Sequence, residues 1–102
     1  MLNTTMNLEG TDLTVVLEGR LDALTSQSLE KEIEGYFEKI NSITVDCAKL
    51  EYISSAGLRT LLAAQQYMEE QGYENVKVVN ANEVNLDIFE ETGFSDILDV
   101  VR

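Results

Sequence analysis

Hydrophobic and polar positions along the chain change period several times, and each change marks an element. In residues 11–19, TDLTVVLEG, Leu13, Val15 and Leu17 alternate with Thr14, Val16 and Glu18. That two-residue period is the pattern of a strand with one buried face, here ended by Gly19. The overlapping TTMNLEGTD predicts an earlier strand that turns through Glu9 and Gly10 into a hairpin. From Thr25 the period lengthens. In TSQSLEKEIEGYFEKIN, Leu29, Ile33, Phe37 and Ile40 share one helical face, while Glu30, Lys31, Glu34 and Glu38 lie elsewhere. Thr25 and Ser26 are natural N-cap residues for this helix. Gly35, placed inside it, costs about 1 kcal/mol relative to alanine.

The alternation of strand and helix continues. SITVDC (42–47) reads as a short strand, and SSAGLRTLLAAQQYMEEQG (54–72) as a helix with Leu58, Leu61, Leu62 and Met68 turned inward and Gly72 at its C-cap. NVKVVN (75–80) is a further strand. NEVNLDIFEETG (82–93) is a short third helix with apolar Val84, Ile88 and Phe89 and a stop at Gly93, and DILDVV (96–101) closes as a last turn or an edge strand. Strands separated by helices need right-handed crossovers, so part of the pairing is parallel. The expected class is α/β, a mixed sheet with helices over it, in a single domain spanning 1–102.

Composition narrows the function more than the fold. Net charge is −12, from 19 acidic and 7 basic residues. Nucleic acids and anionic membrane surfaces both reward clustered Lys and Arg, so neither is an expected partner. No apolar run reaches the length of a membrane span, and MLNTTMNLEG lacks the basic start and apolar centre of a secretory signal. A cytoplasmic location is the expectation. The chain has no histidine and one cysteine, Cys47. A His-based catalytic triad, a Cys–His pair and a zinc site of the usual kind are therefore ruled out, and Cys47 reads as a small buried hydrophobe. The six glycines show no phosphate-loop or dinucleotide spacing. The acidic pairs Glu69–Glu70 and Glu90–Glu91 fall on solvated helix faces. No enzyme activity, metal or cofactor is expected.

The remaining chemistry lies in LEYISSAGLR (50–59), where an apolar run meets Ser54 and Ser55 at the start of a helix. One reading is capping, in which a hydroxyl accepts from the first free N–H groups. The other is modification. A helix N-terminus favours negative charge, and a phosphate there adds roughly −1.5 to −2 charges and three acceptor oxygens. The residues themselves leave both open.

VDCAKLEYISSAGLRTLL resembles the signature segment of STAS domains, in the anti-sigma factor antagonist branch, through Asp46, Leu50, Tyr52, Ile53, Ser54, Ser55, Gly57 and Leu58. LEGRLDALTSQSLEKEI and VNANEVNLDIFEETGF resemble two further segments of the family, in the family's order. The resemblance implies a four- to five-stranded sheet with helices packed on one side. It implies a phosphorylation target at the serine two residues before the glycine, Ser55, with Ser54 a secondary candidate. It also implies a bacterial partner switch. The unphosphorylated form binds a serine-kinase anti-sigma factor with a histidine-kinase-like ATPase fold, and so frees a sigma factor. Phosphorylation ends binding, and a serine phosphatase resets the protein. Asp22 corresponds to an acidic residue that in the family contacts the kinase; its local reading is capping of the turn into the first helix. Arg20, Ser54, Ala56, Gly57, Leu58 and Arg59 complete the expected docking surface.

Two positions depart from the family pattern. Ser54 stands where an acid is common, and Arg59 where a glycine is common. Arg59 lies four residues after Ser55 on the same helical face, placed either to pair with a phosphate or simply to face water. Two other functions share the sequence features. One is a STAS adaptor in another signalling or transport complex that is never phosphorylated. The other is a small-ligand or nucleotide sensor using the helix N-terminus as an anion site.

Overall fold

The computed structural model describes residues 1–102, beginning with the expected hairpin. Strand β1 (Leu2–Glu9) pairs antiparallel with β2 (Asp12–Leu21) through a turn at Gly10–Thr11. Helix α1 (Ser26–Glu34) follows, then β3 (Ser42–Ile53), helix α2 (Ser55–Gln71), β4 (Lys77–Val79), helix α3 (Glu83–Glu91) and the two-residue β5 (Asp99–Val100). The sheet is five-stranded, in the order β1-β2-β3-β4-β5, with every pair after the first parallel. Each crossover steps one strand in the same direction, so right-handed connections put all three helices on one face. One apolar core of 20 buried residues lies between helices and sheet. It includes Leu13, Val15 and Leu17 from β2 and Phe89 from α3. The opposite face carries Asn3, Thr5, Asn7, Thr14, Val16, Glu18, Thr44 and Asp46, in register across β1, β2 and β3. No helix is long and apolar enough to cross a membrane.

Three sequence expectations are corrected. The helix predicted over 25–41 stops at Glu34, so Gly35 is its C-cap rather than an interior residue. The chain then makes a short 3-10 turn over Phe37–Lys39. Tertiary contact explains the break. The Phe37 ring stacks on Tyr67 of α2 at 4.0 Å, and the Tyr67 hydroxyl donates to the Phe37 carbonyl at 2.8 Å. A continued helix would carry Phe37 away from both. Next, Leu62 is only half-buried, and the inner face of α2 is Leu58, Leu61, Ala64, Gln65 and Met68. Gln65 is buried because it braces β4. Its Oε1 accepts from the Val76 N–H at 2.7 Å, and its Nε2 donates to Asn75 Oδ1 at 2.7 Å.

The third correction concerns the strand SITVDC, which runs on through residue 53. Between Asp46 and Lys49, β3 advances three residues while β2 advances two from Val16 to Glu18. Between Leu50 and Tyr52 it advances two residues against one. Each extra residue is a bulge, and each reverses which face the following side chains take. Two reversals therefore keep Cys47, Leu50 and Ile53 all in the core, which a simple alternation could not do. The Asp46 carboxylate closes the first bulge by accepting from the Ala48 N–H at 3.0 Å. Cys47 is buried, and burial, then the neighbouring Asp46 charge, pushes its thiol up to about 12. It is an inert packing residue.

Beyond Asp46, β3 outruns its neighbour β4, whose last pair is Asp46 with Val79. α3 takes over there. Asn82 caps α3 by accepting from the Asn85 N–H at 2.8 Å, and the amides of Asn82 and Asn85 both donate to the Leu50 carbonyl, at 3.3 and 3.1 Å. Val84, between them, is left 57% exposed.

The first turn of α2 sits on the ends of β2 and β3. A Cβ at Gly57 would come within 2.7 Å of Leu21 Cγ and 2.8 Å of Ile53 Cγ1. Gly57→Ala is therefore expected to lower unfolding stability by about 1–3 kcal/mol through overpacking, despite alanine's better helix propensity. Urea unfolding measures it, and an equal or higher midpoint would show that the helix can lift off without cost.

Candidate functional site

The C-terminal ends of the parallel strands β2 and β3 meet at one corner of the sheet, where polar loops gather. Leu21 is paired with Ile53 at the end of both strands, and the Ser54 N–H donates to the Leu21 carbonyl at 2.9 Å. This clamp fixes the start of α2. Ser54 is the N-cap residue in extended conformation, and its hydroxyl accepts from the Gly57 N–H at 3.3 Å. The capping role belongs to Ser54, as half of the sequence reading had it.

Ser55 is the first residue of α2 and is exposed, with its hydroxyl free of hydrogen bonds within the chain. Ala56 is half-buried and Arg59 exposed. Gly57 and Leu58 are buried, so they hold this corner from beneath instead of forming its surface.

The neighbouring loop from β2 to α1 is organised by Asp22. Its Oδ1 accepts from the Leu24 N–H at 3.0 Å, the Thr25 N–H at 3.2 Å and the Thr25 hydroxyl at 3.2 Å, while its carbonyl accepts from the Ser26 N–H at 2.9 Å. The predicted caps of α1 thus do other work. Thr25 occupies the N-cap position, but its hydroxyl accepts from the Asp22 N–H and donates to the Arg20 carbonyl. Ser26 is buried, and its carbonyl accepts from the Thr60 hydroxyl of α2 at 3.2 Å, which ties the two loops together. Asp22 itself holds the turn. Arg20, on the helix-free face, lays its guanidinium over the Tyr52 ring at 4.8 Å.

One residue of this corner escaped the sequence reading. Leu24 is 89% exposed, an apolar side chain at the tip of the Asp22 turn. Its signal was its position, an isolated leucine between the strand pattern, which the sequence reading ends at Gly19 but which runs on to Leu21, and the helical period whose first apolar residue is Leu29. No group of three or more potential metal ligands comes together. The surface depressions are lined by Tyr73 to Asn75, by Leu2 and Leu29, and by Asp12 and Ser42, away from Ser54, Ser55 and Arg59. One of these depressions reaches Thr25 at the edge of the Asp22 loop, but none is lined by Ser54 or Ser55, so the corner is an exposed surface of mixed chemistry suited to contact with another protein.

Desolvation raises the pKa of Asp22, but hydrogen bonds from the Thr25 N–H, the Leu24 N–H and the Thr25 hydroxyl outweigh it and hold the carboxyl below its ordinary 3.8. A depressed pKa contributes stability that is complete above the unfolded value and is lost as pH falls through the folded one. Asp22→Asn is expected to unfold at lower urea than the native protein at neutral pH, with the gap closing as the pH falls below the ordinary carboxyl value of 3.8 and through the lowered folded one. A gap of constant size throughout that acid range would mean that the turn does not depend on the carboxylate.

A family model described as Mlab, STAS domain, matches residues 4–101. The chain is 32% identical over 92 residues to BtrV of Bordetella bronchiseptica, named as an anti-sigma factor antagonist; the match covers 88% of this chain and 78% of BtrV. Its fold is similar to that of an anti-sigma factor antagonist from Mycobacterium paratuberculosis, with a TM-score of 0.84 at 18% identity over 98% of this chain and 85% of the other. It is also similar to the anti-sigma factor antagonist SpoIIAA in its unphosphorylated form, with a TM-score of 0.75 at 14% identity over 93% and 97% of the two chains. The same TM-score, 0.75, at 13% identity over 98% and 92%, relates it to the Bacillus cell fate determinant SpoIIAA in the phosphorylated form. With nearly its whole length matched by one family model and by a relative of this kind, the chain belongs to the STAS domain family, in its anti-sigma factor antagonist branch.

Proposed function

We propose that this STAS domain is a phosphorylation-controlled binding switch with Ser55 as the acceptor. The observation that carries the reading is the contrast between adjacent serines. Ser54 spends its hydroxyl on the Gly57 N–H, whereas Ser55 presents a free, exposed hydroxyl at the first position of α2. A phosphate on Ser54 would remove the cap; one on Ser55 leaves it in place and adds charge where the helix dipole favours it. The fold then survives while the docking surface changes sign and shape. SpoIIAA, which shares the fold, has been solved in both forms.

In this reading the partner is an anti-sigma factor that is also a serine kinase with a histidine-kinase-like ATPase fold. The unphosphorylated domain binds it and frees a sigma factor, phosphorylation releases it, and a serine phosphatase restores binding, all in the cytoplasm. Asp22, Arg20, Ser54, Ala56, Leu24 and Arg59 supply the contact surface, with Gly57 and Leu58 supporting it. Arg59, one helical turn from Ser55, pairs with the phosphate once it is present.

A second reading is an adaptor that binds through the same exposed corner without phosphorylation, since the matching family model is that of the STAS domain and names no modification. Incubation with the cognate kinase and ATP followed by mass spectrometry separates the two. Phosphate on Ser55 is the outcome of the switch, and an unmodified chain that still binds its partner is the outcome of the adaptor.

Binding measurements test the switch directly. Ser55→Ala is expected to bind the kinase as tightly as the native chain and never to let go in ATP, whereas Ser55→Asp loses about 100-fold in affinity, or ~3 kcal/mol, by placing charge in a desolvated contact. Unchanged binding by Ser55→Asp would refute the model. Leu24→Ser removes an exposed apolar contact without touching the core, and is expected to weaken the complex by about 1–2 kcal/mol with no loss of melting temperature. An unaltered affinity would place Leu24 outside the interface.

A further inference from the structure

Strand β1 forms one edge of the sheet, and the direction of its backbone groups follows from one contact. The Arg20 N–H donates to the Met1 carbonyl at 3.1 Å, one step before the Leu2–Gly19 pair. Odd-numbered residues of β1 therefore turn N–H and C=O toward β2, and Leu2, Thr4, Met6 and Leu8 turn theirs to the open edge. Apart from the charge of Glu9 at its end, the strand lacks the devices that commonly guard such an edge. From Leu2 to Leu8 there is no proline and no charged side chain, and the register with β2 runs unbroken from Leu2–Gly19 to Glu9–Asp12. Leu8, near the end of the strand, is 39% exposed.

The sequence of this edge, Leu-Asn-Thr-Thr-Met-Asn-Leu, is close to a palindrome about Thr5. We propose that β1 is the seam of a symmetric homodimer, two copies paired antiparallel about a twofold axis at Thr5. The register places Leu2 against Leu8, Asn3 against Asn7, Thr4 against Met6 and Thr5 against its own copy. All four outward residues then fall on hydrogen-bonded pairs, so every free N–H and C=O of the strand finds a partner. Apolar side chains meet on the helix-covered side, and amides and hydroxyls meet on the other, each a favourable cross-strand pairing. A slide of two residues in either direction leaves Leu2 without Leu8. A slide of one residue sets outward groups against inward ones.

Charge explains why this strip, and not another, accepts a second copy. Each chain carries −12, and the seam from Leu2 to Leu8 has no charged residue of its own. The like charges that it brings toward the axis are the two Glu32 side chains of α1, each bonded by a Thr4 hydroxyl at 2.9 Å. A seven-residue strand is about 24 Å long, and one such seam buries less than the ~1,600 Å² of a standard interface. The dimer is therefore weak and reversible, and it tightens as salt screens the carboxylates.

Crosslinking and sedimentation test this on the intact chain. Facing residues of a non-hydrogen-bonded antiparallel pair have Cα atoms about 4.5 Å apart, within disulfide reach. Thr5→Cys is expected to form a covalent dimer on mild oxidation. Asn3→Cys, whose two copies lie about 14 Å apart along the seam, is expected to stay monomeric. Cys47, at 1% exposure, takes no part. Sedimentation velocity should show the native chain shifting toward dimer between about 20 mM and about 500 mM salt. Thr5→Lys sets two ammonium groups face to face on an exposed position and is expected to raise the dissociation constant at least about tenfold, with an unchanged circular dichroism spectrum. A native chain that stays monomeric at about 500 μM in high salt, equal crosslinking of the two cysteine variants, or a Thr5→Lys chain that dimerises undiminished would each overturn the proposal.

Discussion

The contact on which the rest depends is the seating of α2 on the strand ends. Only a hydrogen atom at Gly57 separates the helix from Leu21 and Ile53, and the Ser54 N–H reaches the Leu21 carbonyl beside it. Strand ends, helix start and loop are thereby one rigid unit. Because Ser54 is held at both its N–H and its hydroxyl, the next residue has a single position, exposed and at the positive end of the helix dipole. A modification there acts on a fixed surface. No part of the fold has to rearrange to present it.

Several supports converge on that unit from outside the sheet ladder. β3 extends past the end of β4, and two asparagine amides from α3 satisfy the Leu50 carbonyl that a neighbouring strand would otherwise take. Thr60 donates to the carbonyl of Ser26 and so links α2 to the loop that Asp22 holds. Asp22 carries the turn with one carboxylate oxygen and three donors, which is why its charge matters to local structure as well as to any partner. The site is the meeting point of the β2–α1 and β3–α2 connections, braced from beneath by the start of α3 through Leu50.

Much of this was legible in the pattern of residues. The hairpin, the three helices, the α/β class and the cap of α2 follow from period and punctuation, and the order of the segments pointed to the family. The failures share a cause. The strand beyond Asp46 was hidden because two bulges break the alternation that reveals a strand, and bulges are set by the partner strand rather than by local sequence. The early stop of α1 was hidden because the stacking of Phe37 on Tyr67 joins residues 30 apart. Thr25 and Ser26 looked like caps by type, but α1 has no side-chain cap, because the Thr25 hydroxyl is taken up by the turn that the Asp22 carboxylate holds. At the candidate site the two serines were visible, but their division of labour needed the geometry.

The two borders of the sheet are unequal, and that inequality limits how copies of this molecule can add to one another. β1 offers eight residues of strand, whereas β5 has two, Asp99 and Val100, beside the ion pair of Arg102 with Glu90. Growth of a sheet into a fibre needs a usable border at both ends, so that each arrival exposes a fresh one. Here a molecule that joins through its long border leaves only the short, charged one outside. An assembly through β1 would close at its first step, because the two residues of β5 offer the next copy almost no strand to extend.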